Sequence, residues 1–132
     1  MEKYEKLLNM LMDFNSDIRF TAICDKNGEI LWNSTRSNIK PLVPMADTKK
    51  TLQRALGAWD ERAKISKLVG RGMYTIAAYE KIKRITIPLN DKHVLFISVD
   101  NTPLKSSNKK SYGHLVDIGK IMSIIDFVDA TN

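Results

Sequence analysis

Apolar residues are concentrated in three consecutive segments in the second half of the chain: Met73–Tyr79, Ile82–Leu89 and His93–Val99. β-Branched and aromatic residues dominate these segments, which is typical of β-strands. Short polar links, Glu80-Lys81 and Asn90–Lys92, separate them. Links this short join antiparallel neighbours, because a parallel return needs a long crossover. The pattern therefore predicts an antiparallel meander, whose last strand is expected to be central because both of its faces are largely apolar.

A β-hairpin is predicted nearer the start of the chain. Its first strand is Ile18–Cys24 and its returning strand is Glu29–Asn33. The dipeptide Asn27-Gly28 between them is typical of a type I′ turn, which needs positive φ at both central residues. Because side chains alternate along a strand, one face of the first strand is expected to carry Ile18, Phe20, Ala22 and Cys24.

Three other segments place apolar residues at three- and four-residue spacing, which is typical of amphipathic helices. The first covers residues 2–14. The last runs from about Tyr112 to Val128, and its polar side is narrow. This last helix is therefore expected to be deeply packed, or to be covered in part by a partner.

The middle helix is predicted from about Thr48 to Leu68, with Asp47 as its N-cap. Gly57 lies within it and costs about 1 kcal/mol of helix propensity relative to alanine. This glycine either lets another helix approach closely or is simply tolerated. The apolar stripe of the helix is expected to contain Leu52, Leu56, Trp59 and Ala63.

The order helix, two strands, helix, three strands, helix predicts an α+β fold: a five-stranded antiparallel sheet with helices packed on it. The chain of 132 residues fits a single domain, 1–132. No apolar run approaches the roughly 20 residues needed to span a bilayer. A lone cysteine fits a reducing compartment. A cytoplasmic location without membrane contact is therefore expected.

Positive charge is concentrated in the middle of the chain, where residues 36–71 carry nine Lys and Arg against three Asp and Glu. This charge forms either a solvated helix face or a surface that meets an acidic protein, nucleic acid or anionic lipid. Nucleic acid is disfavoured, because interleaved exposed aromatic residues are missing. The basic residues assigned to this partner surface are Lys49, Lys50, Arg54, Lys64 and Lys67.

The sequence contains no pattern typical of a catalytic, metal or cofactor site. His93 and His114 lack the spacing of metal ligands. Gly70-Arg71-Gly72 is followed by strand residues, whereas a nucleotide-binding loop leads into a helix. Cys24 is interpreted as a small core residue and not as a nucleophile, because no histidine or second cysteine is near it in sequence. No cofactor is expected, and a binding or assembly module is favoured over an enzyme.

Several local motifs resemble those of a family of small archaeal proteins of unknown function, across roughly residues 4–100. The motifs are Ile18-Arg19-Phe20, the Asp25–Gly28 turn, Asn38–Leu42, Tyr79-Glu80-Lys81 and Ile87-Pro88-Leu89. The order of elements is similar to that of the roadblock/light-chain-7 fold, which is related to longin and profilin domains.

The second resemblance implies a homodimer, because roadblock-like domains commonly pair through their third strands and second helices. The implied interface consists of Leu52, Leu56, Gly57, Trp59, Met73, Tyr74, Thr75, Ile76 and Tyr79.

The same resemblance implies an adaptor that scaffolds or regulates a small GTPase or another signalling partner. Two alternatives remain open. One is a small-ligand sensor, in which Trp32, Trp59 and the apolar last helix enclose a pocket. The other is nucleic-acid binding through the basic middle helix.

Overall fold

One antiparallel sheet is built from five strands: β1 (Ile18–Cys24), β2 (Ile30–Thr35), β3 (Thr75–Ala78), β4 (Ile82–Pro88) and β5 (Val94–Asp100). The structure, a computed structural model, describes residues 2–37, 39–101 and 116–131. The order of strands across the sheet is β2-β1-β5-β4-β3. The predicted α+β fold with a five-stranded antiparallel sheet is confirmed, and β5 is central, as its two apolar faces predicted.

The described helices are α1 (Glu2–Phe14), α2 (Met45–Ala63), α3 (Ser66–Val69) and α4 (Ile118–Ala130). The prediction for residues 2–14 is confirmed. For the last helix, residues 112–115 lie outside the described residues, and helical geometry begins at Ile118. Asp117 caps this helix, since its carboxylate accepts a hydrogen bond of 2.9 Å from the Lys120 backbone N–H. No described helix has the length and hydropathy needed to cross a bilayer.

The prediction of one continuous middle helix over 48–68 is wrong. The helix begins earlier, at Met45, with Pro44 at the N-cap position. Asp47 therefore lies in the first turn, where its charge favours the helix N-terminus without capping it. The backbone then leaves helical geometry at Ile65 (φ −101°, ψ 6°) before the short α3 begins.

Helices cover both faces of the sheet, and each face has its own apolar core. On one face, α1 and α4 bury residues such as Leu11, Ile121, Ile85, Leu95 and Ile97. On the other, α2 packs against the sheet through Leu52, Leu56, Cys24, Val94 and Phe96. Full burial of each such side chain contributes about 1.5–3 kcal/mol. The central strands are thus sandwiched between two helical layers.

The prediction that Ile18 shares a face with Phe20 and Cys24 is wrong. The β1–β5 register shifts between Ile18 and Phe20. Such an irregularity re-aims the side chains on either side of it. Ile18 therefore packs in the α1/α4 core, whereas Phe20 packs on the α2 side, 6.1 Å from Phe96 between ring centroids.

The hairpin turn is real, but its predicted type is wrong. Gly28 has φ +82°, and no described residue other than glycine has positive φ, so Asn27 does not meet the type I′ requirement. The Gly28 N–H donates to the Asp25 carbonyl (3.1 Å), which closes a turn before the left-handed glycine. The Asp25 carboxylate also accepts hydrogen bonds from the N–H groups of Asn27 and Glu29. This pattern fits a type I turn followed by a glycine bulge.

Candidate interaction surface

Strand β3 ends the sheet, so one of its edges has no neighbouring strand within the described chain. Only residues 75–78 have ladder partners in β4, which makes the strand shorter than predicted: Met73, Tyr74 and Tyr79 flank it. An open edge presents unpaired backbone N–H and C=O groups and is a template for pairing with another strand.

Exposed apolar side chains are concentrated in sequence around β3, from the start of α3 to the turn that follows the strand. Seven of the eleven large apolar side chains that the described residues expose lie between residues 65 and 79. Leu68 is the most exposed of them, at 85%. We call this set the apolar edge patch: Ile65, Leu68, Val69, Met73, Tyr74, Ile76 and Tyr79. Sequence reasoning missed the first three, although an apolar pair directly before two closely spaced glycines was a signal for them.

Three residues assigned to the interface on α2 are covered by the chain itself, so that assignment is wrong. Leu52 and Leu56 are buried against the sheet. Trp59 is also buried, and its Nε1–H donates to the Thr86 hydroxyl at 3.1 Å. A helix stripe that packs on its own sheet has no surface left for a second copy.

Gly57 lies on the opposite, outward side of α2. A Cβ atom built there would meet no atom within 4 Å. Thr75, the remaining interface residue, is half-buried, and its hydroxyl lies 2.7 Å from that of Thr86. The surviving interface candidates are therefore Gly57 on α2 and the residues in and around β3.

The basic residues do not form one uniform surface. Lys49 pairs with Glu29, and Lys64 with Glu61 at 3.0 Å. In the described part of the chain no ion pair involves the remaining three, Lys50, Arg54 and Lys67. Lys50 and Arg54 are one helical turn apart and lie on the same outward face as Gly57.

Solved structures share this architecture. MglB, a gliding protein from Thermus thermophilus, superposes with a TM-score of 0.62 at 14% identity, covering 96% of this chain and 84% of that one. An MglB with a tetrameric arrangement gives a TM-score of 0.63 at 14% identity, covering 98% and 86%. A roadblock/LC7 domain from Streptomyces avermitilis gives 0.61 at 7% identity, covering 95% and 90%.

The chain has the roadblock/LC7 fold. No protein-family model and no curated protein sequence matches it. The resemblance to small archaeal proteins stays a prediction.

On the described part of the chain, no group of side chains typical of an active site is assembled. Cys24 is fully buried, and burial together with the nearby Asp25 raises the pKa of its thiol to about 11. It is a core residue, as predicted. His93 lies 2.9 Å from the Tyr4 hydroxyl through Nδ1, while His114 is outside the described residues. No group of three or more metal-ligating side chains occurs among the described residues.

The predicted ligand pocket between the two tryptophans is wrong. Trp32 packs beside Tyr4 of α1, with 5.0 Å between ring centroids. Trp59 lies on α2, on the other side of the sheet. Helix α4 packs with α1, so these three elements enclose no common cavity.

Proposed function

We propose that the protein is a homodimeric interaction module, an adaptor that scaffolds or regulates a small GTPase or another signalling partner, and not an enzyme. The observations that carry the proposal are the open edge of β3 and the exposed apolar side chains of the apolar edge patch. A second copy of the chain can bury this patch, because in a twofold dimer the same patch of each protomer contacts that of the other. The tetrameric arrangement of an MglB with the same fold supports the tendency to self-associate.

In the proposed dimer, β3 of one protomer pairs with β3 of its partner and extends the sheet. Pairing satisfies the unpaired backbone groups of both edges and removes the apolar edge patch from water. The proposal also sets the two α2 helices side by side, with Gly57 as the position where they approach, because it carries no side chain and has open space around it. The basic residues Lys50 and Arg54 flank that contact and remain accessible to an acidic partner.

Dimerisation is tested with Ile76→Lys. Ile76 is exposed by 41%, so the monomer accommodates lysine, while the dimer places two like charges across the twofold axis. We expect sedimentation to give the 15.0 kDa chain mass for this variant and twice that mass for the wild type. The matched control is Leu31→Lys, at 44% exposure on the opposite sheet edge, which should remain dimeric.

A second variant, Gly57→Trp, tests the helix contact in the same experiment. The monomer has open space there, so its circular dichroism should match that of the wild type while self-association weakens. If Gly57→Trp and Ile76→Lys both sediment as wild-type dimers, the proposed assembly is wrong.

The partner is tested by reversing two charges together, Lys50→Glu with Arg54→Glu. Surface charge steers and orders encounters with an acidic partner. We expect titration against a purified small GTPase from the same genome to give affinity at least about tenfold weaker for this variant. Reversal of two exposed lysines away from α2, Lys92→Glu with Lys120→Glu, is the control. Equal weakening by both pairs would contradict a specific basic surface on α2.

A further inference from the structure

Strand β4 carries an arginine that is buried beneath α2. Arg84 is only 9% exposed, although it bears a charge. Its Nη2 donates to the Thr48 hydroxyl at 3.1 Å, and its guanidinium carbon lies 4.9 Å from the centroid of the Phe96 ring. Its Nε–H has no hydrogen-bond partner in the described chain. One donor of this guanidinium is thus left unsatisfied.

Among the described residues, no carboxylate forms an ion pair with Arg84. All 15 Asp and Glu residues of the sequence belong to the described part. Arg19 on β1 is different, because its guanidinium forms an ion pair of 2.7 Å with Asp100 and also donates to the Lys40 carbonyl. Burying an unpaired charge is costly, which favours an anion from outside the chain.

A cavity lies directly beside the guanidinium. Its inner part, of about 90 Å³, extends between the residue 39–45 connection, β1 and β4. It opens into a wider cleft of about 410 Å³ that reaches Tyr79 in the turn after β3. Both parts share four lining residues: Leu42, Val43, Ile82 and Arg84. Apolar side chains form much of the lining, Arg84 lines both parts, Arg19 also lines the inner part, and Glu80 and Lys81 line the outer cleft.

The helix geometry adds to the preference for an anion. Met45 and Thr48, in the first turn of α2, also line the inner cavity. The N-terminus of a helix carries partial positive charge from its unpaired N–H groups. An incoming carboxylate would meet this field and the charged guanidinium of Arg84, whose planar shape matches a carboxylate.

We propose that this cavity binds a small organic carboxylate, with the carboxylate on Arg84 and the apolar portion against Leu42 and Val43. The apolar side chains of Leu42, Val43 and Ile82 suit an alkyl or aryl group, which an organic carboxylate carries and inorganic phosphate lacks. The inner cavity shares no residue with the apolar edge patch, and Tyr79 is the member of the patch that lines the outer cleft. Binding at Arg84 does not require the proposed dimer.

The test is calorimetric titration of the protein with butyrate, hexanoate and benzoate. Butyramide, a neutral analogue, and inorganic phosphate are the comparison ligands. We expect at least one carboxylate to bind at least about tenfold more tightly than butyramide. A tenfold difference in affinity corresponds to the free energy of about one charge-assisted hydrogen bond. Binding of none of the three carboxylates, or tighter binding of phosphate, overturns the proposal.

Arg84→Met keeps the length of the side chain and removes its charge, and it should weaken carboxylate binding at least about tenfold. The matched control is Arg54→Met, since Arg54 is exposed on α2 away from the cavity. Val43→Trp, which fills the cavity from the connection and leaves Arg84 in place, should abolish binding if Arg84→Met fails to fold. If folded Arg84→Met or Val43→Trp binds the carboxylate as the wild type does, the ligand binds elsewhere and the proposed site is wrong.

Discussion

Leu95→Ala is expected to lower the free energy of unfolding by about 3 kcal/mol, within the roughly 2–5 kcal/mol typical of buried leucines. Leu95 is 0% exposed and lies in the central strand, between Ile23 of β1 and Ile87 of β4. Truncation to alanine leaves a cavity. The neighbouring strands on both sides and the helical layer above hold their positions, so the cavity cannot close. Urea denaturation followed by circular dichroism measures the loss.

The control for Leu95 is the same substitution in an exposed leucine of the edge strand β2. Leu31→Ala removes the same atoms from a side chain that is already in contact with water. Surface substitutions of this kind typically change stability by about 0.5 kcal/mol or less. Comparable losses in the two variants would contradict the assignment of Leu95 to the α1/α4 core.

Gly72→Ala is expected to lower the free energy of unfolding by about 2 kcal/mol, in the range of overpacked cores. A Cβ atom at Gly72 would lie 2.2 Å from Cζ3 and 3.0 Å from Cε3 of Trp59. The indole cannot move without cost, because it is buried and bonded to Thr86, and the Arg62 guanidinium carbon lies 4.9 Å from its centroid. In this variant the midpoint of urea denaturation should therefore fall, and the tryptophan fluorescence of the folded protein should differ from that of the wild type.

The matched control is Gly57→Ala, since alanine at this exposed helical position meets no atom within 4 Å. Alanine should raise helix stability by up to about 1 kcal/mol. The two glycine substitutions are thus expected to change the free energy of unfolding in opposite directions. A loss of stability in neither variant would show that residue 72 does not pack on the Trp59 ring.

The antiparallel meander and the central position of β5 follow from local patterns that the sequence displays directly. The meander was predictable because its links are too short for any other connection, and β5 was predictable as central because apolar residues occupy both of its faces. By contrast, the break at Ile65 and the register shift before Phe20 arise from tertiary contacts, which have no periodic signature.

The interface prediction failed for three of its α2 residues for a physical reason. An amphipathic stripe shows that Leu52, Leu56 and Trp59 are buried, but it does not show whether the chain or a partner buries them. The expectation that β3 is a pairing edge came from the resemblance to the roadblock/light-chain-7 fold, whose domains commonly pair through their third strands.

The buried Arg84 also had a sequence signal that was not used. Lys83 and Arg84 are consecutive in a strand, so their side chains point to opposite faces. In a sheet covered by helices on both faces, at least one such charge is drawn toward a helical layer. Here both are buried, and desolvation lowers the pKa of each.

The position of β5 between β1 and β4 has a consequence for how the chain reaches its native state. The β1–β2 hairpin and the β3–β4–β5 meander each join residues close in sequence, whereas the β1–β5 ladder pairs Ile23 with Leu95. Bringing β1 and β5 together closes a long loop, and the chain loses conformational entropy before contacts between the two strands can offset it. High contact order of this kind slows folding. The two halves of the sheet are therefore expected to form early, and their meeting along β5 to limit the folding rate.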